Sequence, residues 1–555
     1  MRMYPWHRLG QAVITLLGVI TLVYVIQRWT STPLFLPAQY LSFMGDVLRL
    51  DFGRSLTQNE TVLGMIAGRL PNTLALAAGA LLVAAAVGIP LGAALARCRG
   101  RRIARPLSWL LLAAQSMPVF WSGILLVMVF VVKLAWLPAS TAGGISQLVM
   151  PSIALGLMGM VSVACMTRGI LLQKWSRAEV QAVPAARGWR RVARTGSGLE
   201  LSMLLTGVVV LEALFAWPGL GQLAVQAVLQ RDFPVVRGLV LLGAMVAIVL
   251  HLAIDVLWRA GSDTADREMV DAHPGGVDPL ANPRPSRRSA WIGPALVLAA
   301  MVIVAILAPF IAPHDPTAQN LLGRLRPPGT TAGELHYLLG SDELGRDLFS
   351  RLIWGARVSL LVAFVSVALS ILVGAVLGAL AAYVRGVGLV IMQLVDIFRS
   401  VPAILLAMLT LAVIGPSLQG LIVVLVLALW PRYARVAHAK ILLSRQAGAG
   451  PSAPADANAT PVRGHVRPGV LRAVLVAAAL DVGFVVLFES SLAFLGLGVQ
   501  PPAPSWGAML SQGANYMGSA WWLAIFPGLC LFVLVFFANL LGDALRDPAP
   551  LSASD

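Results

Sequence analysis

Few of the 555 residues are of types that do chemistry, and their spacing narrows what that chemistry could be. Glu212 and Glu489 each open a segment ending in Gly-Leu-Gly: EALFAWPGLG over Glu212–Gly221 and ESSLAFLGLG over Glu489–Gly498. A third carboxylate, Asp481, lies inside an apolar run with no equivalent in the first half of the chain. Ionisable groups in such runs are costly and usually face a cavity or a polar partner. The glutamates therefore either line a pathway, meeting a cationic amine or a metal complex, or accept hydrogen bonds from the amides of the glycine-rich turns beside them. Trp217, Gly219 and Gly221 belong with Glu212 as pathway or outer-gate candidates. Gly496 and Gly498 belong with Glu489, and Asp481 completes the set.

Enzyme chemistry finds little support. The three lysines, Lys133, Lys174 and Lys440, never follow a glycine, so no phosphate-binding loop of the G-x-x-x-x-G-K-[ST] kind exists. The seven histidines are never spaced as helix ligands, and Cys98, Cys165 and Cys530 are too scattered for a disulfide framework or a metal set. No nucleophile elbow is present. No catalytic residue, metal ligand or bound cofactor is assigned to the chain.

The elements that position these residues are set by composition. Hydrophobic residues make up 58% of the chain and charged residues 12%, against about 25% charged in soluble proteins. Apolar runs near 9–27, 72–96, 106–134, 149–172, 200–216 and 235–258 are followed by six more near 290–312, 358–383, 388–414, 418–443, 470–497 and 520–545. Runs of about 20 apolar residues span a bilayer as helices, whereas a barrel would show short alternating segments. The expectation is an all-α membrane protein of about twelve transmembrane helices.

The formal net charge of +16 comes from arginines crowded into short loops, which points to membrane topology rather than nucleic acid. Arg97, Arg99, Arg101, Arg102 and Arg105 follow the second run, and further arginines follow the fourth and tenth. All fall on one side if both termini are cytoplasmic. The N-terminal run lacks a small-x-small cleavage site and reads as a retained helix.

The chain divides into a first half (1–258), a Pro-, Gly- and Asp-rich cytoplasmic linker (259–289) and a second half (290–555). Gly88–Gly92 (GIPLG) matches Gly374–Gly378 (GAVLG), and Asp255 matches Asp543. Six runs in each half make the repeats parallel, related by an axis along the membrane normal.

Several motifs resemble the permeases of dipeptide, oligopeptide and nickel ABC importers. They include DFGRSL (Asp51–Leu56), RLPNTLALA (Arg69–Ala77) and RDFPVVRG (Arg231–Gly238) in the first half. In the second they include GSDELGRDLFSRLIWGARVSL (Gly340–Leu360), WPRYAR (Trp430–Arg435) and SLAFLGLGVQPPAPSWG (Ser491–Gly507). The resemblance implies a fusion of two permeases that are usually separate chains, in a type I ABC importer fold in the bacterial inner membrane. It further implies two peripheral ATPases, which would hold ATP and magnesium, and an extracytoplasmic solute-binding protein.

The resemblance also implies a cytoplasmic ATPase-docking helix after the fourth span of each half, with an acidic-Ala-Ala segment and a following glycine. In the first half the matching stretch supplies Ala182, Ala185, Ala186, Gly188, Arg190 and Arg191, interrupted by Pro184. In the second, Ala449, Ala455 and His465 fall in a stretch broken by Pro451, Pro454 and Pro461. That second docking site is degenerate. The expected function is the permease of an ATP-driven importer for peptides or similar solutes. A metal-chelate importer, an ion-gradient-driven transporter and a degenerate scaffold are the alternatives.

Overall fold

A computed structural model describes residues 4–28, 37–98, 103–137, 145–174, 200–261, 291–333, 335–448 and 466–545. In the first half the helices are α1 (Tyr4–Arg28), α2 (Pro37–Leu48), α3 (Val62–Arg97), α4 (Ala104–Ser116), α5 (Val119–Leu126), α6 (Ile145–Lys174), α7 (Glu200–Leu214), α8 (Leu220–Leu229) and α9 (Phe233–Gly261). A π-helical stretch, Val127–Lys133, extends α5. The second half opens with α10 (Ile292–Ile306) and a hairpin of β1 (Thr330–Ala332) and β2 (Leu335–Tyr337). Then come α11 (Leu348–Tyr383), α12 (Arg385–Ser400), α13 (Ala403–Ile414), α14 (Leu418–Gly448), α15 (Val466–Phe494), α16 (Trp506–Ala514) and α17 (Trp522–Leu545).

Each of the twelve apolar runs carries helix. Among the described residues, eight are long and apolar enough to cross a membrane, and two more do so as bent pairs, α4 with α5 and α12 with α13. Of the remaining two, α10 has 15 residues, about 22 Å of helix, and α7 is described from Glu200 on. Helices dominate because lipid offers no partner for backbone amides, so each segment must satisfy its own.

The bends, of 100° and 91°, fall at matching places: Ser116-Met117-Pro118 and Ser400-Val401-Pro402. The residue before proline is driven out of the helical region, and Met117 and Val401 are extended with ψ of 124° and 127°. Proline then starts the next helix, where its missing N–H is harmless.

The repeat is written into the packing. α3 and α11 have 36 residues each, starting at Val62 and Leu348. α3 lies against α6, and α11 against α14. A Cβ at Gly88 would come within 2.7 Å of the Met160 carbonyl oxygen, and one at Gly92 within 2.3 Å of that of Ala164. In the second half a Cβ at Gly374 would come within 2.6 Å of the Trp430 carbonyl oxygen, and one at Gly378 within 2.3 Å of that of Ala434. Backbones this close exclude any side chain, the small-residue packing expected between helices in lipid.

The halves interlock through their bent pairs. α4 and α5 lie on α17, while α12 and α13 lie on α9. Phe120 stacks on Phe494 with ring centroids 5.1 Å apart, and Trp121 Nε1 donates to the Ala524 carbonyl at 3.1 Å. The side of the molecule bearing the β-hairpin is the hairpin face; the opposite one, toward which α3, α6, α11 and α14 run, is called the arginine face, after the arginines that follow α3, α6 and α14 in the sequence. The largest apolar core takes residues from both halves, among them Phe120, Ile124, Val228, Leu409, Leu492 and Ala524. Smaller clusters nearer the arginine face, around Leu95, Leu111 and Ala164 and around Val395, Trp430 and Ala434, each belong to one half.

Candidate functional site

Glu212, near the end of α7, is fully buried and held by neighbours on both sides. Its Oε1 accepts from Thr73 Oγ1 of α3 at 2.7 Å, and its Oε2 accepts from the amides of Gly221 at 2.6 Å and Gln222 at 3.2 Å. Thr73 Oγ1 in turn accepts from the Leu220 amide at 2.8 Å. The carboxylate thus binds the first turn of α8, where helical amides have no partner within the helix. Gly219 and Gly221 leave room for it: a Cβ on Gly219 would lie 2.1 Å from Glu212 Oε1, and one on Gly221 2.4 Å from the Val209 Cα. Trp217 closes the turn against α3, its Nε1 donating to the Asn72 carbonyl at 2.9 Å while Asn72 Nδ2 donates to the Pro218 carbonyl at 2.9 Å. Of the two sequence readings, the geometry here is the turn-anchoring one.

Glu489 occupies the matching place on α15 and is likewise fully buried. Its partners differ. Oε2 accepts from Ser359 Oγ and Ser490 Oγ, both at 3.2 Å, and Oε1 has no hydrogen-bond partner among the described residues. Ser359 stands 286 residues after Thr73, the same spacing as the starts of α11 and α3. Hydroxyl partners from the glycine-paired helices were missed in the sequence; the signal was the alignment of GIPLG with GAVLG, extended one helix length upstream. Gly496 has φ +80°, a left-handed position that favours glycine, and Gly498 abuts Ala493, where a Cβ would sit 2.4 Å from Ala493 Cβ.

Asp481 has a partner after all, though not in the first half. It is fully buried in α15 and pairs with Arg432 Nη1 of α14. Arg435, one turn further along α14, pairs with Asp396 of α12. Arg399, also on α12, interacts electrostatically with Asp396, Arg432 and Arg435. The structure therefore gathers a charged layer, and it corrects the sequence reading of Arg432 and Arg435 as part of the connection after the tenth run: both stand inside α14.

At the hairpin face, Asp232 ties the loop before α3 to the start of α9. Its Oδ2 accepts from Ser55 Oγ at 2.5 Å and from Thr57 Oγ1 at 3.0 Å. Burial opposes its ionisation, but these bonds prevail and hold the carboxyl below its ordinary range. In the second half, Asp342 accepts from Arg346 Nε at 2.6 Å and lies 3.3 Å from Arg351 Nε, fixing the GSDELGRD segment against α11. Asp347 caps α11, its carboxylate accepting from the Ser350 amide at 2.9 Å.

The ATPase-docking candidates Ala182, Ala185, Ala186, Gly188, Arg190 and Arg191 lie outside the described residues, as do Ala449, Ala455 and His465. The linker likewise falls outside them, but for its first residues in the last turn of α9.

The sequences of both halves match known proteins. The family model described as "Binding-protein-dependent transport system inner membrane component" matches twice, over residues 88–260 and 370–547. A second model, "N-terminal TM domain of oligopeptide transport permease C", matches residues 286–328. The di/tripeptide transport system permease protein of Pseudomonas aeruginosa is 39% identical over 267 residues, which are 46% of this chain and 86% of that protein. The dipeptide transport system permease protein of Escherichia coli is 39% identical over 258 residues, 44% of this chain and 84% of its own. The probable D,D-dipeptide permease of the same bacterium is 35% identical over 256 residues, 46% of this chain and 84% of its own. Each relative is thus covered almost fully by less than half of this chain, while the family model fits both halves. This chain belongs to the inner membrane components of binding-protein-dependent transport systems, and it carries the family's domain twice.

Proposed function

We propose that this single chain supplies both membrane-spanning halves of an ATP-driven importer for peptides. The carrying observation is the doubled domain whose halves interlock through their bent helices, the arrangement that two separate permeases would otherwise form by association. The peptide assignment draws on the names of the relatives, three of which are dipeptide or di/tripeptide permeases.

In this reading, residues 1–258 and 290–555 are the two halves and 259–289 the connecting linker. The arginine face and both termini are cytoplasmic, following the excess of arginine in those connections. Two peripheral ATPases bind there, holding ATP and magnesium, and press on the segments near 174–198 and 440–468. An extracytoplasmic binding protein delivers solute to the hairpin face. The halves rock about their common axis, and only interactions that differ between the two arrangements drive the change. Glu212 serves as the buried anchor of the outer gate, keeping its glycine turn rigid while the helices tilt, and Glu489 ties α15 to α11 at the matching place.

The test is affinity purification of the tagged chain from native membranes, followed by ATP hydrolysis measurements in lipid nanodiscs. Co-purifying ATPases whose hydrolysis rises when a peptide-loaded binding protein is added would support the importer. A chain that purifies alone and supports no hydrolysis would overturn it.

A further inference from the structure

We propose that Gln226 and Gln230 of α8, with Gln500 across the seam from them, form a carboxamide site on the hairpin face that binds the main chain of a peptide entering between the halves. The proposal deepens the importer reading and rests on it for the identity of the solute.

α8 is an element that reaches across. It follows the Glu212-anchored turn of the first half and packs on α13 of the second. Leu223, Ala224, Ala227 and Val228 are buried in the core that both halves share, together with Leu409 and Ala412 of α13. Its counterpart α16 packs chiefly on α15, α17 and α11, all of its own half. At the end of α8, three residues before Asp232, the side chain of Leu229 reaches the glycine turn of the second half. Its Cδ2 would lie 3.9 Å from a Cβ on Gly496. Leu229 is 59% exposed and Gly496 is exposed as well, so the seam comes to the surface at this contact.

Gln226, Leu229 and Gln230 stand at i, i+3 and i+4 and therefore share one helix face. The Leu229 contact sets that face beside the turn of the other half. Both glutamines are exposed, and neither carboxamide has a hydrogen-bond partner among the described residues. Gln222 continues the row one turn earlier, half-buried, its Oε1 accepting from Arg69 Nη1 of α3 at 3.3 Å. On the other side of the seam Gln500 is exposed, and its Nε2 donates to the carbonyls of Gly496 at 3.3 Å and Gly498 at 3.0 Å. Those bonds hold its carboxamide on the turn that Leu229 meets.

Carboxamides suit a peptide main chain. Each offers two N–H donors and a carbonyl acceptor, the groups a peptide bond pairs with. Being uncharged, they favour no side-chain charge, as a carrier of varied peptides requires. The spacing fits as well. Four residues of helix advance about 6 Å, and the groups that an extended chain turns to one side recur every two residues, about 6.6 Å. Glu212 holds the first turn of α8, so the row is fixed before a solute arrives. A merely wetted face has no need to sit on the seam; this one flanks a contact that must part for a solute to pass.

Two experiments test this. In the first, the full chain in phosphatidylcholine nanodiscs is irradiated with alanyl-photoleucyl-alanine, and the adducts are mapped by mass spectrometry. Adducts should fall within 222–231 and 496–500, and Q226A/Q230A/Q500A should lower them at least fivefold. Trialanine should compete, and its analogue with esters in place of the peptide bonds should compete at least fivefold less well. Adducts confined to other segments, an undiminished yield in the triple variant, or equal competition by the ester would overturn the proposal. The three positions are exposed, so the variant should fold, which size exclusion checks. The wild-type map and the ester comparison stand without it.

In the second, the chain with its ATPases and peptide-loaded binding protein is reconstituted in vesicles. The triple variant should take up trialanine at least fivefold more slowly, while its stimulated ATP hydrolysis stays within twofold of wild type. Undiminished uptake would overturn the site, and so would a parallel loss of hydrolysis, which would make this face a docking surface for the binding protein. Wild-type protein that takes up no trialanine yet gives the adduct map would instead sink the importer reading and leave the site standing.

Discussion

The two buried glutamates share a position and differ in their bonding. Glu212 accepts two backbone amides and a hydroxyl, whereas Glu489 accepts two hydroxyls and leaves one oxygen unpartnered. Hydroxyl donors can rotate to other acceptors, but the amides of Gly221 and Gln222 are fixed by the helix. Glu212→Gln places an N–H₂ where one of these acceptors stood, so it should cost about 2 kcal/mol. Glu489→Gln should cost less than about 1 kcal/mol, since the amide can offer its oxygen to the serines and its nitrogen to the empty side. Thermal unfolding of the two variants in the same detergent checks the order, and an equal or reversed loss would sink this account. Both glutamates were visible in the sequence because charge stands out in an apolar run. Their partners were not: Thr73 lies 139 residues from Glu212, and a threonine in a helix gives no sign of what it faces.

At the scale of elements, the glycines of α3 and α11 decide how close α6 and α14 come. Gly92→Leu and Gly378→Leu would drive side chains into the carbonyls of Ala164 and Ala434, and either should abolish accumulation of folded protein in the membrane. Gly68 is in the same helix as Gly92 but has no atom within 4 Å of an added Cβ. Gly68→Ala should therefore be tolerated, and should stabilise by about 0.5–1 kcal/mol through the lower entropy of the unfolded chain. Folded yield by fluorescence-detected size exclusion separates these outcomes. The small-residue pattern was legible as a packing device; which carbonyls it faced was not. The bends were written in Ser-x-Pro at both sites, yet the apolar runs passed through them unbroken, so composition alone suggested straight spans.

At the scale of the whole molecule, the halves are joined at Phe120–Phe494 and Trp121–Ala524, contacts that any change in their relative arrangement must break or carry along. A Cβ on Gly528 would lie 2.0 Å from Trp121 Nε1, so Gly528→Ala should displace the indole. Phe120→Ala and Gly528→Ala should each raise ATP hydrolysis in the absence of binding protein at least threefold by weakening the closed contact. Leu74→Ala, a truncation at an exposed position of α3, should leave it unchanged. Identical rates in all three would show that this contact does not hold the resting state.

Sequence alone determined that the chain crosses a membrane many times as helices, that it repeats itself, and which family it resembles. Those properties follow from hydropathy, spacing and short motifs, which are local along the chain. Only the tertiary structure decided that Glu212 anchors a turn, that Asp481 has Arg432 as its partner, and that three arginines gather on one wall of one half. Each depends on which helix faces which across dozens or hundreds of residues. In lipid that choice is made by backbone approach and side-chain fit, since apolar surface on the helices finds an equally apolar solvent around it.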